Sequence, residues 1–179
     1  WNEFTGLFCS NEKPVWFGTN LGAIRFDGSV WHYRQGPRRL PDDGVRQIAL
    51  DGQGNLAAAS STGGMTNTRF GRIGDSPIIG AGTYASNESC GISSTGHGEY
   101  FIRYTVAHDI CARVQHGGLR LQEAADVVVQ QVLKAAGGEG GVIGMDRAGN
   151  MAMSFNVTGM ARGYMREDGT AVVMFTAEE

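Results

Sequence analysis

Positive charge is scarce and never concentrated. Fifteen Lys and Arg face eighteen Asp and Glu, for a formal charge of −3. The longest basic cluster is the pair Arg38-Arg39. A nucleic-acid-binding face needs a dense basic stripe, so that class of partner is excluded. Long apolar runs are also missing. None approaches the roughly 18–20 residues of a membrane-spanning helix, and no signal-peptide pattern opens the chain. Cysteine is sparse: Cys9, Cys90 and Cys111, with no pair at metal-ligand spacing. The expectation is free thiols, buried or partly buried, in a reducing, cytoplasmic compartment, with no metal and no cofactor. The first residue is Trp rather than Met, which reads as a processed product, a fragment or a trimmed chain.

What is present fits one ordinary domain, or one domain with a small appendage. There are 179 residues, of which 41% are hydrophobic, enough for a real core. The 28 glycines show no collagen-like period and point to tight turns and close backbone approaches.

Two parts read differently. Residues 1–48 carry short aromatic runs: Val15-Trp-Phe-Gly-Thr, Ala23-Ile-Arg-Phe, then Asp27-Gly28, then Val30-Trp-His-Tyr. Asp-Gly between apolar runs signals a hairpin, so this is an antiparallel meander. It resembles one blade of a sensor-type β-propeller over about residues 13–48. One blade cannot close a ring, which takes about four to eight. From residue 49 onward the reading is strands, two helices, strands. A hairpin turning at Asp51-Gly-Gln-Gly-Asn55 has a counterpart turning at Asp146-Arg-Ala-Gly-Asn150. Between them, Glu99 to about Gln115 reads as one helix, and about Leu121 to Ala135 as a second. The second carries a stripe of Ala124, Ala125, Val128, Val129, Val132 and Leu133. A last strand, Ala171-Val-Val-Met-Phe, follows the turn Glu167-Asp-Gly169. The order predicts an α+β layered arrangement, not a doubly wound parallel sheet.

Candidate chemistry lies in two glycine-rich stretches. In Gly71-Arg-Ile-Gly-Asp75, Arg72 offers a fork that grips a carboxylate and Asp75 an acceptor for an ammonium. Together they would receive the α-carbon end of an amino acid; the competing reading is a local salt bridge. Thr95-Gly-His-Gly98 precedes a helix, where a hydroxyl and a backbone N–H would stabilise an oxyanion. The competing reading is a Thr N-cap with Glu99 completing a capping box.

Taken in order, Ser60-Ser-Thr-Gly-Gly-Met-Thr-Asn67, Gly71-Arg-Ile-Gly-Asp-Ser-Pro77, Gly80-Ala-Gly82 and Ser94-Thr-Gly-His-Gly-Glu99 resemble the nucleophile-bearing β chain of plant-type asparaginases, the isoaspartyl peptidases. The resemblance runs from about 49 to 175. It implies an N-terminal-nucleophile hydrolase of αββα sandwich fold, acting on L-asparagine or β-aspartyl dipeptides, with L-aspartate as product. It also implies roles. Arg72 would hold the substrate α-carboxylate, Asp75 its α-ammonium, and Thr95 with the Gly96 N–H the oxyanion. Thr62 would sit beside the nucleophile, and Gly98 would line the pocket.

The family's attacking threonine falls, by register from Ala49-Leu-Asp51, on Gly44. Glycine has no hydroxyl, and Asp42, Asp43, Val45, Arg46 and Gln47 supply none. The family's α chain is also expected to be absent. The sequence therefore reads as a propeller-blade-like meander (1–48) joined, within the hairpin at 51–55, to a partial αββα domain (49–179). Expected consequences are no hydrolysis by the chain alone, and self-association or an α-chain partner to cover exposed sheet. The alternatives are a non-catalytic interaction module that docks through the N-terminal strands, and a fragment of a periplasmic sensor propeller.

Overall fold

The computed structural model describes residues 4–8, 15–19, 22–26, 31–35, 45–50, 52–62, 71–166 and 171–176. Strands β1 (Phe4–Phe8), β2 (Val15–Thr19), β3 (Gly22–Phe26) and β4 (Trp31–Gln35) form an antiparallel sheet in chain order. This is the expected meander. Phe26 pairs with Trp31 across the link that contains Asp27-Gly28, which itself lies outside the described residues. β1 comes against the next hairpin, β5 (Val45–Leu50) and β6 (Leu56–Ser61).

The second sheet has the order β10-β9-β8-β7, all antiparallel. Its strands are β7 (Thr83–Ala85), β8 (Cys90–Gly96), β9 (Gly140–Asp146) and β10 (Met151–Phe155). β8 shows why the domain is layered. Side chains alternate across a strand, and here both faces are covered. Ile92 packs toward Leu121 of the helical layer beside Gly144, and Cys90 joins Cys111 there. On the opposite face, Gly91 lies under Ile48 and Ala58, and the Ser93 hydroxyl donates to the Ala59 carbonyl at 3.0 Å. Helices, the four-stranded sheet and the β5–β6 hairpin thus stack as three successive layers, in line with the α+β reading. The pair β11 (Arg162–Met165) and β12 (Ala171–Met174) ends the chain. β12 is the expected last strand; the turn at 167–169 lies outside the described residues.

The helical layer corrects two expectations. The single helix read over 99–115 is two: α1 (Gly98–Arg103) and α2 (Val106–Gln115). They break at Thr105, a β-branched residue at φ 45°, where ordinary L-residues are strained. Tertiary bonds offset that strain. The first-turn N–H groups of Ala107 and His108 donate to the carbonyls of Ala81 and Gly80 at 3.1 and 2.9 Å, so the break serves to cap α2 with a distant loop. The second helix runs as expected from α3 (Leu121–Asp126) through α4 (Lys134–Ala136), but its middle, Val127–Leu133, is π-helical. Its apolar stripe is core: Ala124, Ala125, Val128, Val129 and Leu133 are fully buried, while Val132 is half-buried.

The cysteines correct a third. Cys90 and Cys111 are bonded to one another between β8 and α2. β8 and α2 press together face to face, which no linear spacing of the two residues discloses. Cys9 lies outside the described residues.

Candidate active site

The site is assembled at one end of β6 and β8. These strands lie in different sheets but run side by side in the same direction: Ala58 stands over Gly91, and the Ser60 and Ser93 hydroxyls touch. The same two-residue step carries Thr62, just past β6, toward Thr95, at the end of β8. In the β5–β6 ladder Val45 pairs with Ser61, the residue before Thr62. Gly44 itself lies outside the described residues.

The loop 71–82 closes this end. Its turn is built on the Asp75 carbonyl, which accepts from Ile78 N–H at 2.9 Å and Gly82 N–H at 3.1 Å. The Gly82 carbonyl in turn accepts from Ser94 N–H at 2.8 Å and the Ser60 hydroxyl at 3.0 Å. Asp75 is buried, 5% exposed, and clamped between two glycines. A Cβ on Gly82 would stand 2.8 Å from its Oδ2, and a Cβ on Gly98 2.9 Å from its Oδ1. Glycine at both positions is a steric requirement of placing the carboxylate there. Gly98 is therefore packed against Asp75 and buried.

Gly96 is held from the other side. It pairs with Gly140 across β8 and β9, at φ +148°, and a Cβ there would lie 2.7 Å from Phe101. His97 N–H donates to the Glu139 carbonyl at 2.9 Å, locking the turn into α1. The capping-box alternative does not occur: the N-cap is His97, and no side chain caps the helix. α1 has six residues, so the positive end of its dipole is that of a short helix.

Glu99 is instead engaged by Arg72. The guanidinium donates through Nε to Oε1 at 2.7 Å and through Nη2 to Oε2 at 3.0 Å. That bond holds the Glu99 carboxyl down at about 2, and with Asp75 nearby raises Arg72 further above its ordinary value. The salt bridge anticipated for Arg72 thus exists, but its partner is Glu99, a choice the Arg72–Asp75 spacing gave no sign of. The structure brings Arg72 onto Glu99 and Asp75 against Gly98, a few residues past Thr95 and Gly96 at the end of β8, while Thr62 follows the end of β6. Sequence reasoning missed the holding residues Ser60, Ser93, Gly82 and Glu139. Ser60 and Gly82 lie inside the stretches that carry the family resemblance, whereas Ser93 and Glu139 left no local signal.

Among the described residues no group of three or more His, Cys, Asp or Glu could hold a metal ion, and no helix is long and apolar enough to cross a membrane.

Comparison with known proteins places the chain in a family. The family model described as Asparaginase matches residues 31–175. An isoaspartyl peptidase of Escherichia coli is 55% identical over 120 residues, which is 67% of this chain and 37% of that protein. The Salmonella typhimurium isoaspartyl peptidase is 53% identical over 120 residues, 67% of this chain and 38% of the relative. A probable isoaspartyl peptidase/L-asparaginase of Arabidopsis thaliana is 50% identical over 122 residues, 68% of this chain and 37% of the relative. The chain thus spans a little over a third of the length of these relatives. The resemblance of the N-terminal meander to a propeller blade gains no support from them. With the family model matching residues 31–175, most of this chain, and the sandwiched sheet in place, the chain belongs to the asparaginase family.

Proposed function

We propose that residues 49–179 carry the substrate pocket of an asparaginase/isoaspartyl peptidase without its nucleophile. In this reading Arg72 binds the α-carboxylate of L-asparagine, L-aspartate or a β-aspartyl dipeptide, and Asp75 the α-ammonium. Thr95 and the Gly96 N–H receive the oxyanion, Thr62 adjoins the attacking position, and Gly98 lines the pocket. The observation that carries it is the clamping of Asp75 between Gly82 and Gly98, the latter just past Thr95 and Gly96 at the end of β8. A buried carboxylate is costly unless its site is built to pair it.

The chemistry of such a site is attack on the side-chain carbonyl by a threonine hydroxyl, with water completing hydrolysis. Gly44 occupies that register and has no hydroxyl. The chain alone is expected to release no ammonia from L-asparagine and no aspartate from a β-aspartyl dipeptide; measurable release of either overturns the claim. L-Aspartate is expected to bind by calorimetric titration, and Arg72→Ala to weaken it at least tenfold, as for loss of a charge-assisted bidentate pair. Equal affinity in the variant would remove Arg72 from the pocket.

Residues 1–48 form, in this proposal, a separate propeller-blade-like segment joined through the hairpin at 51–55. A partner-binding role is favoured by a specific surface. On β9 and β10, Ile143, Met145, Met151, Met153 and Phe155 share the face opposite the helices and are only half-buried. An α chain or a second copy would cover it. A cytoplasmic location remains part of the reading, but the Cys90–Cys111 bond removes the free-thiol reasoning behind it.

A further inference from the structure

α1 opens with two residues that each grip one half of the site. Gly98 packs on the Asp75 carboxyl, and Glu99, the next residue, binds Arg72. A guanidinium has two edges able to grip a carboxylate in bidentate fashion, one through Nε and Nη2 and one through Nη1 and Nη2. Glu99 takes the first edge at 2.7 and 3.0 Å. Among the described residues no hydrogen bond takes the second edge, whose Nη1 lies beside Gly74, where a Cβ would approach to 3.2 Å. The Arg72 side chain is 20% exposed and that of Glu99 57%, so the carboxylate fixes the guanidinium from the solvent side.

We propose that Glu99 is a positioning residue that locks Arg72 by its side edge and aims the remaining edge at the ligand's α-carboxylate. This rests on the pocket reading above. It predicts the opposite of competition. A Glu99 that merely occupied Arg72 would have to be expelled by the ligand, and its removal would tighten binding. A Glu99 that orients Arg72 makes the site more selective for an α-carboxylate, because the fork no longer loses rotamer freedom on binding.

The test compares L-aspartate with its α-amide, which keeps the ammonium and the side-chain carboxylate but lacks the α-carboxylate. Both are titrated calorimetrically into the full chain and into Glu99→Gln. The expected result is that the ratio of affinities, L-aspartate over the α-amide, falls about tenfold in the variant, the size of one charge-assisted hydrogen bond. An unchanged ratio, including equal weakening of both ligands as from a merely structural role, overturns the proposal. So does a raised ratio, the mark of competition. If neither ligand binds the unmodified chain, the pocket reading fails and this inference falls with it. If L-aspartate binds and the ratio is unmoved, the inference alone fails.

Discussion

Glu99 shows how a side chain can be given one role by spacing and take another. Its place in Thr95-Gly-His-Gly-Glu99 fits a capping box, yet its carboxylate turns to Arg72 because loop 71–82 brings a guanidinium within 2.7 Å. The bond has a measurable consequence. A carboxyl with a lowered folded pKa contributes stability that is full above its unfolded value and is lost as pH falls through its folded value. For Glu99 that window lies between its ordinary 4.5 and about 2. The Glu99 carboxyl carbon is expected to titrate near 2 by NMR, and in Arg72→Ala to return toward 4.5. A normal titration in the unmodified chain would show that the bond does not form in solution. Because Glu99 is exposed, the pair is a geometric device more than a source of stability.

Among the elements, the π-helical stretch Val127–Leu133 and the turn after it depend on one side chain from outside the helix. Asn156, just past β10, donates through Nδ2 to the Val129 carbonyl at 3.3 Å and to the Gly138 carbonyl at 2.8 Å. Its Oδ1 accepts from Gly140 N–H at 2.8 Å. Gly140 lies opposite Gly96, so this amide ties the helical layer to the end of β8. Asn156→Ala removes one acceptor and two donor contacts in a half-buried setting. The expected cost is about 2–3 kcal/mol in chemical denaturation; a change below about 0.5 kcal/mol would mean that water replaces the amide without loss. The cap of α2 by Gly80 and Ala81 teaches the same lesson. Helix periodicity over 99–115 was legible and the two helices span 98–115, but the break at Thr105 answers to a loop some 25 residues earlier in the chain.

At the scale of the whole molecule, the layers are unevenly covered. β8 is enclosed by helices on one face and by the β5–β6 hairpin on the other. The hairpin turns also meet, Arg147 Nε donating to the Gly54 carbonyl at 2.9 Å. Toward β10 the cover thins, leaving the methionine-rich face half-buried, and Val173 and Phe175 stand 85% and 57% exposed at the chain's end. Apolar surface left wet forgoes about 25 cal/mol per Å², so association is expected to hide it. Light scattering across a tenfold concentration range should report species larger than a monomer, reduced by Met153→Glu with Val173→Glu. A monodisperse monomer throughout counts against a docking face.

Legible in the sequence were the family, the β5–β6 and β9–β10 hairpins, the last strand and the apolar stripe of the second helix, but not β7 or β8. It also carried the candidates Arg72, Asp75, Thr95 and Gly96 and the glycine at position 44. Periodicity, turn chemistry and long motifs are local in the chain and survive without coordinates. Only the tertiary structure decided that β6 and β8 run side by side, that Gly82 and Gly98 clamp Asp75, that Arg72 takes Glu99, and that Cys90 meets Cys111. All but the Gly82–Asp75 contact join residues about twenty or more positions apart, and such distances are set by how layers pack.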